Sequence, residues 1–277
     1  MNKKVAFIGG GNMAQAIISR MVSTWEEPTH IHVTDRNLEK LDNLHKQFKI
    51  STHPKIGNWL AEMDCVVLAV KPQQLPEVLV QNKEFLKDVF VVSIAAGVKT
   101  KDIEKLLGQR RICRVMPNTP VKEGLGVCGI FMVSQEEKDK KLVEAILLPT
   151  GLLIWCPFES MIDSVTAVSG SGPAYVFLFL AALEKAALEF GFTAQEAHDM
   201  AVYTVLGSST LALKSEETFT ELCKKVQSKG GTTIEATKII EGSGFAEMML
   251  RAMDACRARA IELGDEFSQK VDEIQQG

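Results

Sequence analysis

The 277-residue sequence predicts an α/β fold with a mostly parallel sheet, followed by a second, all-helical C-terminal domain. Three observations predict this fold class. Short β-branched runs alternate with amphipathic helical runs up to about residue 156, which is typical of parallel βαβ units. A glycine-rich turn follows the first apolar run. From Ser160 to the C-terminus the pattern is helical throughout. We therefore predict two domains, at residues 1–159 and 160–277.

The predicted strands of the first domain are short and apolar. They are Val5–Gly9, His30–Thr34, Cys65–Val70, Phe90–Ile94, Ile112–Val115, Gly126–Met132 and Leu152–Cys156. The helices between them carry an apolar stripe on one face. They are Asn12–Ser23, Leu38–Phe48, Leu75–Leu86, Thr100–Leu107 and Gln135–Leu147. This alternation brings the carboxyl ends of the strands to one edge of the sheet, where ligands bind in such folds.

The second domain is predicted to contain helices only. The run Ala174–Leu183 is apolar on all sides, so it must be covered. A subunit interface would cover it, and a self-contained helical bundle is the alternative. The run is too short to span a membrane, which takes about 20 residues. A frayed polar tail is expected after Asp265. The predicted helices are Gly172–Phe190, Ala194–Leu213, Phe219–Val226, Thr233–Glu241 and Phe245–Leu263.

The first strand leads directly into a glycine turn and a helix. Gly9, Gly11 and Ala14 match the Gly-x-Gly-x-x-Gly/Ala spacing of Rossmann-like dinucleotide-binding sites. Gly9 would permit the tight turn, Gly11 would let the backbone approach a pyrophosphate, and Ala14 would let helix and strand pack closely. The pyrophosphate would accept hydrogen bonds from free amides at the helix start. An ordinary glycine-rich turn is the alternative.

Composition favours small-molecule chemistry in a reducing compartment. The net charge is −4 and no dense Lys/Arg run occurs, which gives no support to nucleic acid or an anionic membrane as partner. The six cysteines form no Cys-x-x-Cys pair and resemble reduced thiols. The first strand begins at once, which leaves no room for a signal or transit peptide. We therefore expect a cytoplasmic protein.

Residues directly after the strands are candidates for cofactor binding. Asp35 follows the second strand and could accept hydrogen bonds from a ribose 2′-hydroxyl, which favours NAD. Its neighbour Arg36 could instead pair with a 2′-phosphate, which favours NADP. Lys71 follows the third strand, and Pro72 holds it in extended backbone. After the fourth strand, the small residues of Ala95–Gly97 permit close approach of a nicotinamide or ribose.

Three further segments could form the walls of a site. Asn118 lies between two prolines in a stiff loop after the fifth strand. Ser169–Pro173 precedes a long helix and places a proline at a favoured early helical position. Gly230–Thr233 precedes another helix, whose free amides could bind a carboxylate. Ordinary capped helix starts are the alternative for the last two segments.

Other chemistries have little support. The five histidines show no metal-ligand spacing, so no metal site is predicted. No Gly-x-Ser-x-Gly elbow follows a strand. Ser169–Gly172 has a superficially similar spacing, but it precedes a helix in an all-helical region.

Taken together, six motifs closely resemble those of pyrroline-5-carboxylate reductases. They occur in the same order and span residues 4 to about 260. The motifs are Gly-Gly-Gly-Asn-Met-Ala at 9–14, Ala-Val-Lys-Pro at 69–72, Val-Ser-Ile-Ala-Ala-Gly-Val at 92–98, Met-Pro-Asn-Thr-Pro at 116–120, Ser-Gly-Ser-Gly-Pro-Ala-Tyr at 169–175 and Gly-Thr-Thr-Ile at 231–234.

The resemblance implies the last step of proline biosynthesis, the NAD(P)H-dependent reduction of 1-pyrroline-5-carboxylate to L-proline. It also implies a helical domain that forms homodimers, often assembled into a decamer. We expect NADPH as the cofactor, with NADH possible, because Arg36 suits a phosphate. The implied cofactor-binding residues are Gly9, Gly10, Gly11, Asn12, Met13, Ala14, Arg36, Asn37, Val70, Lys71, Pro72, Ala95, Ala96 and Gly97.

The implied catalytic residues are Thr233, which would orient the imine ring, and Lys71 at the cofactor edge of the sheet. The substrate-binding residues implied by the resemblance are Asn118, Ser171, Gly172, Gly231, Thr232 and Thr233.

The chain departs from the family pattern before the substrate loop. The usual Ser-Pro-Gly-Gly is Ser228-Lys229-Gly230-Gly231 here, and the usual His-Pro-Gly-x-Leu-Lys-Asp is replaced at Thr218–Lys224. Losing the proline should loosen the loop, and Lys229 adds a cation.

Two alternative functions are compatible with the same fold: a β-hydroxyacid dehydrogenase or other imine reductase, and an NADP-binding protein without catalysis. The first would require a lysine and a nearby asparagine on one helix, whereas no asparagine follows Lys185 within a turn.

Overall fold

In the computed structural model, which describes residues 3–276, eight strands form one sheet in the order β3-β2-β1-β4-β5-β6-β7-β8. All neighbouring strands are parallel except β6 and β7. The strand order reverses between β1 and β4, which is the topological switch point where α/β sheets bind ligands. The strands are β1 Val5–Ile8, β2 Ile31–Thr34, β3 Ser51–His53, β4 Cys65–Leu68, β5 Phe90–Ser93, β6 Ile112–Met116, β7 Gly126–Met132 and β8 Gly151–Trp155.

Helices cover both faces of this sheet. Alternate residues of β1 illustrate the two cores, since Phe7 packs in one apolar cluster and Ile8 in the other. The first cluster includes residues of α1, α2 and α6, and the second includes residues of α3, α5 and α12. The twelve helices within the described residues are α1 Asn12–Val22, α2 Leu38–Phe48, α3 Leu75–Gln81, α4 Lys83–Leu86, α5 Thr100–Leu107, α6 Glu137–Leu147, α7 Met161–Val165, α8 Gly172–Glu189, α9 Ala194–Lys214, α10 Phe219–Val226, α11 Thr232–Gly242 and α12 Phe245–Gln276.

The α/β fold with a Rossmann-like, mostly parallel sheet and a helical C-terminal region is confirmed. The chain divides into two compact units, one of Met1–Ser171 with Cys256–Gly277 and the other of Gly172–Ala255. These bounds differ from the predicted 1–159 and 160–277. The difference arises because α7 and the last part of α12 pack with the sheet, although both are helical.

The expectation of a frayed tail after Asp265 is wrong. Helix α12 continues to Gln276, and its final turns are anchored to α5. Phe267 and Val271 are buried in the second core cluster. The Ser268 hydroxyl donates to Asp102 Oδ2 at 2.7 Å, and Lys105 Nζ lies 2.6 Å from Asp272 Oδ1. Packing on α5 therefore compensates for the polar composition of this segment.

Two predictions within the sheet unit also need correction. Strand β3 was not predicted, because its three residues are only half-buried and include no aliphatic side chain. The helix predicted over Leu75–Leu86 is two helices separated at Asn82. The Asn82 backbone leaves the helical region, with φ −120° and ψ 17°, and its side-chain amide donates to Val78 O at 2.8 Å. This local hydrogen bond competes with continuation of the helix.

The helical unit contains well-capped but poorly covered helices. Capping boxes begin α9 at Thr193 and α10 at Thr218. Helix α8 was predicted to be covered on every side, yet Phe177 and Leu178 are 65% and 72% exposed in the single chain. Together with the preceding helical turns, Met161–Glu189 is long and apolar enough to cross a membrane by length and composition alone. The single chain therefore leaves an apolar helix uncovered.

Candidate functional site

A cleft of about 520 Å³ lies at the carboxyl ends of the first strands, beside the switch point. Its lining brings together the glycine turn after β1, the turn after β2 and the segment after β4. Four basic residues and one carboxylate contribute to it. The residues that line it are Ile8, Gly9, Gly11, Thr34, Asp35, Arg36, Lys40, Pro54, Lys55, Ile56, Ala69, Val70, Lys71, Gln74, Val78, Gln81 and Asn82.

Gly9 is required by the turn that begins this cleft. Its φ is +103°, a region that L side chains rarely adopt, and its amide donates to Thr34 O at 2.8 Å. A Cβ on Gly9 would lie 2.7 Å from Ala69 O in the segment after β4. Gly10 is buried, and a Cβ there would lie 2.8 Å from Leu44 Cδ1 of α2. The absence of side chains at these two glycines therefore lets the turn after β1 approach both the segment after β4 and helix α2.

Gly11 is different, because a Cβ there would meet nothing within 4 Å. It is the N-cap of α1 and provides no side-chain hydrogen bond to the helix amides. The start of α1 therefore presents backbone amides without a side-chain cap, as a pyrophosphate site requires. Ala14 is buried against the sheet. Asn12 and Met13 do not line the cleft; they line a separate cavity of about 390 Å³.

Asp35 is held in place by the glycine turn. Its carboxylate accepts hydrogen bonds from Gly10 N, Asn37 N and Lys40 Nζ at 2.9, 2.9 and 2.7 Å. Although partial burial raises the pKa of Asp35, the hydrogen bonds from Lys40 and the two amides outweigh it, and the pKa is lowered overall. The carboxylate is thus ionised at neutral pH and already has three donors.

Arg36 projects into the solvent-exposed part of the same cleft. Its side chain is 74% exposed, and the nearest carboxylate oxygen, Glu77 Oε1, lies 3.8 Å from Nη2. An exposed pair at this distance contributes little, so the guanidinium is available to an anion. Asn37 does not line the cleft. It caps α2, and its Oδ1 accepts from Lys40 N at 2.9 Å.

Lys71 follows β4 in extended backbone, as predicted from Pro72. Its backbone is extended, with φ −61° and ψ 144°, and a 3₁₀ turn begins at Pro72. Val70 and Lys71 line the cleft, whereas Pro72 does not. Lys71 is exposed, so its ammonium group is accessible from the solvent.

The turn after β5 lies outside this cleft and is packed against α12. Gly97 has φ +74°, and a Cβ there would lie 3.4 Å from Leu263 Cβ. A Cβ on Gly264 would lie 3.1 Å from Gly97 O. Ala95 is buried and Ala96 is exposed at the surface of the turn. The C-terminal helix therefore fixes this small-residue turn.

Asn118 is hydrogen-bonded to the segment that precedes α8. Asn118 is 7% exposed; its Nδ2 donates to Ser169 O at 3.0 Å, and its Oδ1 accepts from Val127 N at 2.9 Å. A π-helical turn at Thr166–Gly170 leads into α8, and Ser171 Oγ lies 3.2 Å from Cys256 Sγ. The amide of Asn118 therefore braces this loop. Gly172 has open space around its Cα.

In the helical unit, Gly231 is the N-cap of α11 and makes no side-chain cap hydrogen bond. Gly230 has φ +76°, and a Cβ on Gly231 would lie only 2.2 Å from Ser228 Oγ. The tight turn before Thr232 therefore requires both glycines. It leaves the first amides of α11 without a side-chain cap, which suits a carboxylate.

The sequence is similar to pyrroline-5-carboxylate reductases along nearly its whole length. It is 35% identical to the enzyme of Pseudomonas aeruginosa over 273 residues, which cover 96% of this chain and 98% of that one. The enzyme of Escherichia coli is also 35% identical over 269 residues, covering 95% and 99% of the two chains. The family model for the dimerisation region of pyrroline-5-carboxylate reductase matches residues 159–263.

The chain belongs to the pyrroline-5-carboxylate reductase family.

Solved structures of family members have the same fold. A pyrroline-5-carboxylate reductase from Coxiella burnetii superposes with a TM-score of 0.89 at 39% identity, covering 95% of this chain and 99% of that one. A Plasmodium falciparum pyrroline carboxylate reductase with NADP bound gives 0.83 at 26% identity, with 95% and 98% covered. Residues 4–97 also match a model described as NADP oxidoreductase, coenzyme F420-dependent.

These matches confirm three predictions for this reductase-family chain. It is an oxidoreductase that uses NAD(P)H, with a small molecule as its substrate. It is a homo-oligomer, because the matched region is a dimerisation domain. That region contains the apolar helix α8, whose side chains are exposed in the single chain.

Of the predicted cofactor residues, the cleft brings together Gly9, Gly11, Arg36, Val70 and Lys71. Residues after β3 were not predicted to contribute, although Pro54, Lys55 and Ile56 line the cleft. The polar run Ser51–His53, followed by a proline, was the available signal for a short edge strand. The contributions of Gln81 at the end of α3 and of Asn82 directly after it were also not predicted.

Proposed function

We propose that this chain reduces 1-pyrroline-5-carboxylate to L-proline, with NADPH as the preferred hydride donor. The observation that carries the proposal is the cleft at the switch point of the sheet in a chain of this family. Its glycine turn cannot accommodate a Cβ at Gly9, and the adjoining start of α1 has no side-chain cap.

The cofactor fits the residues present. The amides at the start of α1 would bind the pyrophosphate, and Lys71 would add positive charge at the same edge. The Ala95–Gly97 turn, held by α12, would lie against the nicotinamide end. Bound NADPH would supply the hydride, while the protein contributes orientation and charge. Gly10 and Ala14 support the turn by packing. Four of the other predicted cofactor residues do not line the cleft, and we propose that they shape it from outside: Asn12, Met13, Asn37 and Pro72.

The different hydrogen bonding and exposure of two neighbouring residues support the proposed preference for NADPH. The Asp35 carboxylate already accepts three hydrogen bonds, so it has less capacity for a ribose hydroxyl. The Arg36 guanidinium is exposed and available to a phosphate. Arg36→Ala should raise the KM for NADPH by about tenfold and leave the KM for NADH within about twofold. Equal KM changes for both cofactors would contradict this assignment.

We assign substrate binding to residues of the helical unit and the loop before it. The substrate carries a carboxylate beside a cyclic imine. The uncapped amides at Gly231, Thr232 and Thr233 would bind the carboxylate. Ser171 and Gly172 would contact the ring, and Asn118 would hold their loop through its bond to Ser169 O.

The Thr233 hydroxyl would orient the imine nitrogen. A hydroxyl is too weak an acid to protonate an imine, so water would supply the proton or the imine would bind already protonated. Thr233→Ala should lower kcat/KM for the imine by about tenfold, while Thr233→Ser should retain most activity. The dissociation constant of NADP⁺ should stay unchanged in both variants. Parental kinetics in Thr233→Ala would contradict this role.

Lys229 replaces the usual proline of the substrate loop. It adds a cation beside the proposed carboxylate site, at the position before Gly230 with its φ of +76°. We propose that the positive charge lowers the KM for the anionic substrate while the more flexible loop raises it. Lys229→Pro and Lys229→Met separate these contributions, because the first restores rigidity and the second removes only the charge.

We further propose a homodimer built through the helical unit, assembled into a decamer in the cytoplasm without a membrane partner. The exposed apolar side chains of α8 support the dimer. Sedimentation velocity would distinguish a dimer from a decamer.

The direct experiment is to add 1-pyrroline-5-carboxylate to the purified chain with NADPH and follow loss of NADPH absorbance. We expect loss of NADPH and formation of proline in equal amounts. Cofactor binding without turnover would instead favour the non-catalytic NADP-binding alternative. Turnover of hydroxyacids but not of the imine would favour a β-hydroxyacid dehydrogenase.

A further inference from the structure

Lys55 lies on the strand end adjacent to that of Arg36. In the parallel pairing of β2 with β3, His53 is opposite Thr34. Arg36 and Lys55 each follow their member of this pair by two residues. Both line the cleft, and both side chains are exposed. The topology therefore brings two cationic side chains to the end of the cleft formed by β2 and β3.

A stack of aromatic rings fixes the segment that carries Lys55. His53 and Trp59 are stacked with ring centroids 3.8 Å apart and planes at 8°. His53 Nε2 also lies 2.9 Å from His32 Nδ1, which ties the stack to β2. The indole Nε1–H of Trp59 donates to Lys55 O at 3.1 Å. The ring stack thus fixes His53 and Trp59 against each other, and the indole hydrogen bond fixes the Lys55 backbone between them.

The lysine, and not a histidine, provides the charge here. Burial, together with the neighbouring His53, lowers the pKa of His32 to about 4, and burial also lowers the pKa of His53. Both rings are therefore neutral at pH 7. Lys40, another cation of the cleft, is paired with Asp35 at 2.7 Å. Within residues 3–276, Lys55 makes no ion pair, so its charge is available to a ligand.

We propose that Lys55 is a second ligand for the 2′-phosphate of NADPH, beside Arg36, and that Trp59 is a positioning residue that holds it there. The inference rests on the proposed use of NADPH. A 2′-phosphate carries close to two negative charges, which one exposed arginine neutralises only in part. Lys55 supplies the second positive charge from a neighbouring strand end. The ribose hydroxyl of NADH offers no such charge, so the contact selects between the two cofactors.

The test is the dissociation constant of NADP⁺ and of NAD⁺, measured by calorimetric titration of the full-length oligomer. Lys55→Met keeps the length of the side chain and removes the charge. We expect its NADP⁺ dissociation constant to rise by about tenfold and that of NAD⁺ to change less than twofold. Lys141→Met, which removes an exposed charge on α6, is the matched control and should leave both constants unchanged.

Equal weakening of NADP⁺ and NAD⁺ in Lys55→Met, or no change in either, would overturn the assignment. Because cofactor binding is measured without the imine, the outcome is independent of whether the chain reduces 1-pyrroline-5-carboxylate. If the parent binds NADP⁺ no more tightly than NAD⁺, then the proposed NADPH preference fails instead.

The positioning role of Trp59 has its own test. Trp59→Phe keeps a ring to stack on His53 but loses the hydrogen bond to Lys55 O. We expect it to lower the NADP⁺ to NAD⁺ affinity ratio by about threefold, with little effect on Tm. In a Lys55→Met background the same change should leave the ratio unaltered. A merely structural role would lower Tm and leave the ratio constant in both backgrounds.

Discussion

The hydrogen bond between Ser268 and Asp102 tests how the C-terminal helix is held on the sheet unit. Asp102 is fully buried and Ser268 is 8% exposed. Asp102 Oδ2 accepts from Ser268 Oγ at 2.7 Å, while Oδ1 has no hydrogen-bond partner within the described chain. Ser268→Ala therefore leaves the buried carboxyl group without its side-chain donor.

Losing a hydrogen bond to a buried charged group costs about 2 kcal/mol of unfolding free energy. For a chain of this size, that corresponds to a fall in Tm of about 4–8 °C. Ser23→Ala is the matched control, because the Ser23 hydroxyl is exposed and donates only to Arg20 O of its own helix. We expect the control to stay within about 0.5 kcal/mol of the parent. Urea unfolding measures both variants.

The cost should also depend on pH. Burial raises the pKa of Asp102 above its ordinary value of 3.8, and the Ser268 hydroxyl opposes this rise. The stability contributed by this group is therefore fully present below about pH 3.8 and is lost as pH rises through the folded pKa. Without the hydroxyl the folded pKa rises further, so the destabilisation should be larger at pH 8 than at pH 4. If Ser268→Ala lowers the unfolding free energy no more than Ser23→Ala at both pH values, then the Ser268 hydroxyl does not stabilise the buried Asp102 carboxyl group.

Three further substitutions test the glycine turn and the buried charges. Gly9→Ala should lower stability by about 2–4 kcal/mol, since it combines a φ of +103° with a Cβ 2.7 Å from Ala69 O; a parental Tm would contradict it. Gly11→Ala should keep the parental Tm, because nothing lies within 4 Å of the added Cβ, yet weaken NADP⁺ binding at least tenfold; unchanged binding would argue against a pyrophosphate there. Arg114→Met should cost about 3–5 kcal/mol in urea unfolding, because it leaves Glu159 and Asp163 without their buried cation; a loss below about 1 kcal/mol would show that these carboxylates find other partners.

Local patterns were enough to predict seven of the eight strands and the glycine turn. The strand, turn and helix around Gly9 follow from adjacent residues, and the φ of +103° confirms the reason for that glycine. Lys71 could also be predicted to follow its strand in extended backbone, because Pro72 restricts the residue before it.

Features that depend on distant packing were harder to predict. The buried residues in the last turns of α12 recur at helical spacing: Gly264, Phe267, Ser268 and Val271. Charged residues between them obscured this apolar pattern in the sequence. Strand β3 forms by pairing with β2, and its own residues gave no strand signal. Because the strand was not predicted, Lys55 after it was not recognised as a residue of the cleft. The apolar pattern of α8 predicted that the helix needs cover, but that pattern could not distinguish a subunit interface from a self-contained bundle; the exposed side chains and the match to a dimerisation region favour the interface.

Reduction of 1-pyrroline-5-carboxylate by this chain can be measured in a paired assay on the purified oligomer. Loss of NADPH absorbance and formation of L-proline are measured together after addition of 1-pyrroline-5-carboxylate, for the parent and Thr233→Ala. We expect equimolar NADPH loss and proline formation in the parent, and about tenfold lower kcat/KM for the imine with unchanged NADP⁺ affinity in the variant. Tight NADP⁺ binding by the parent with no proline formed would contradict it.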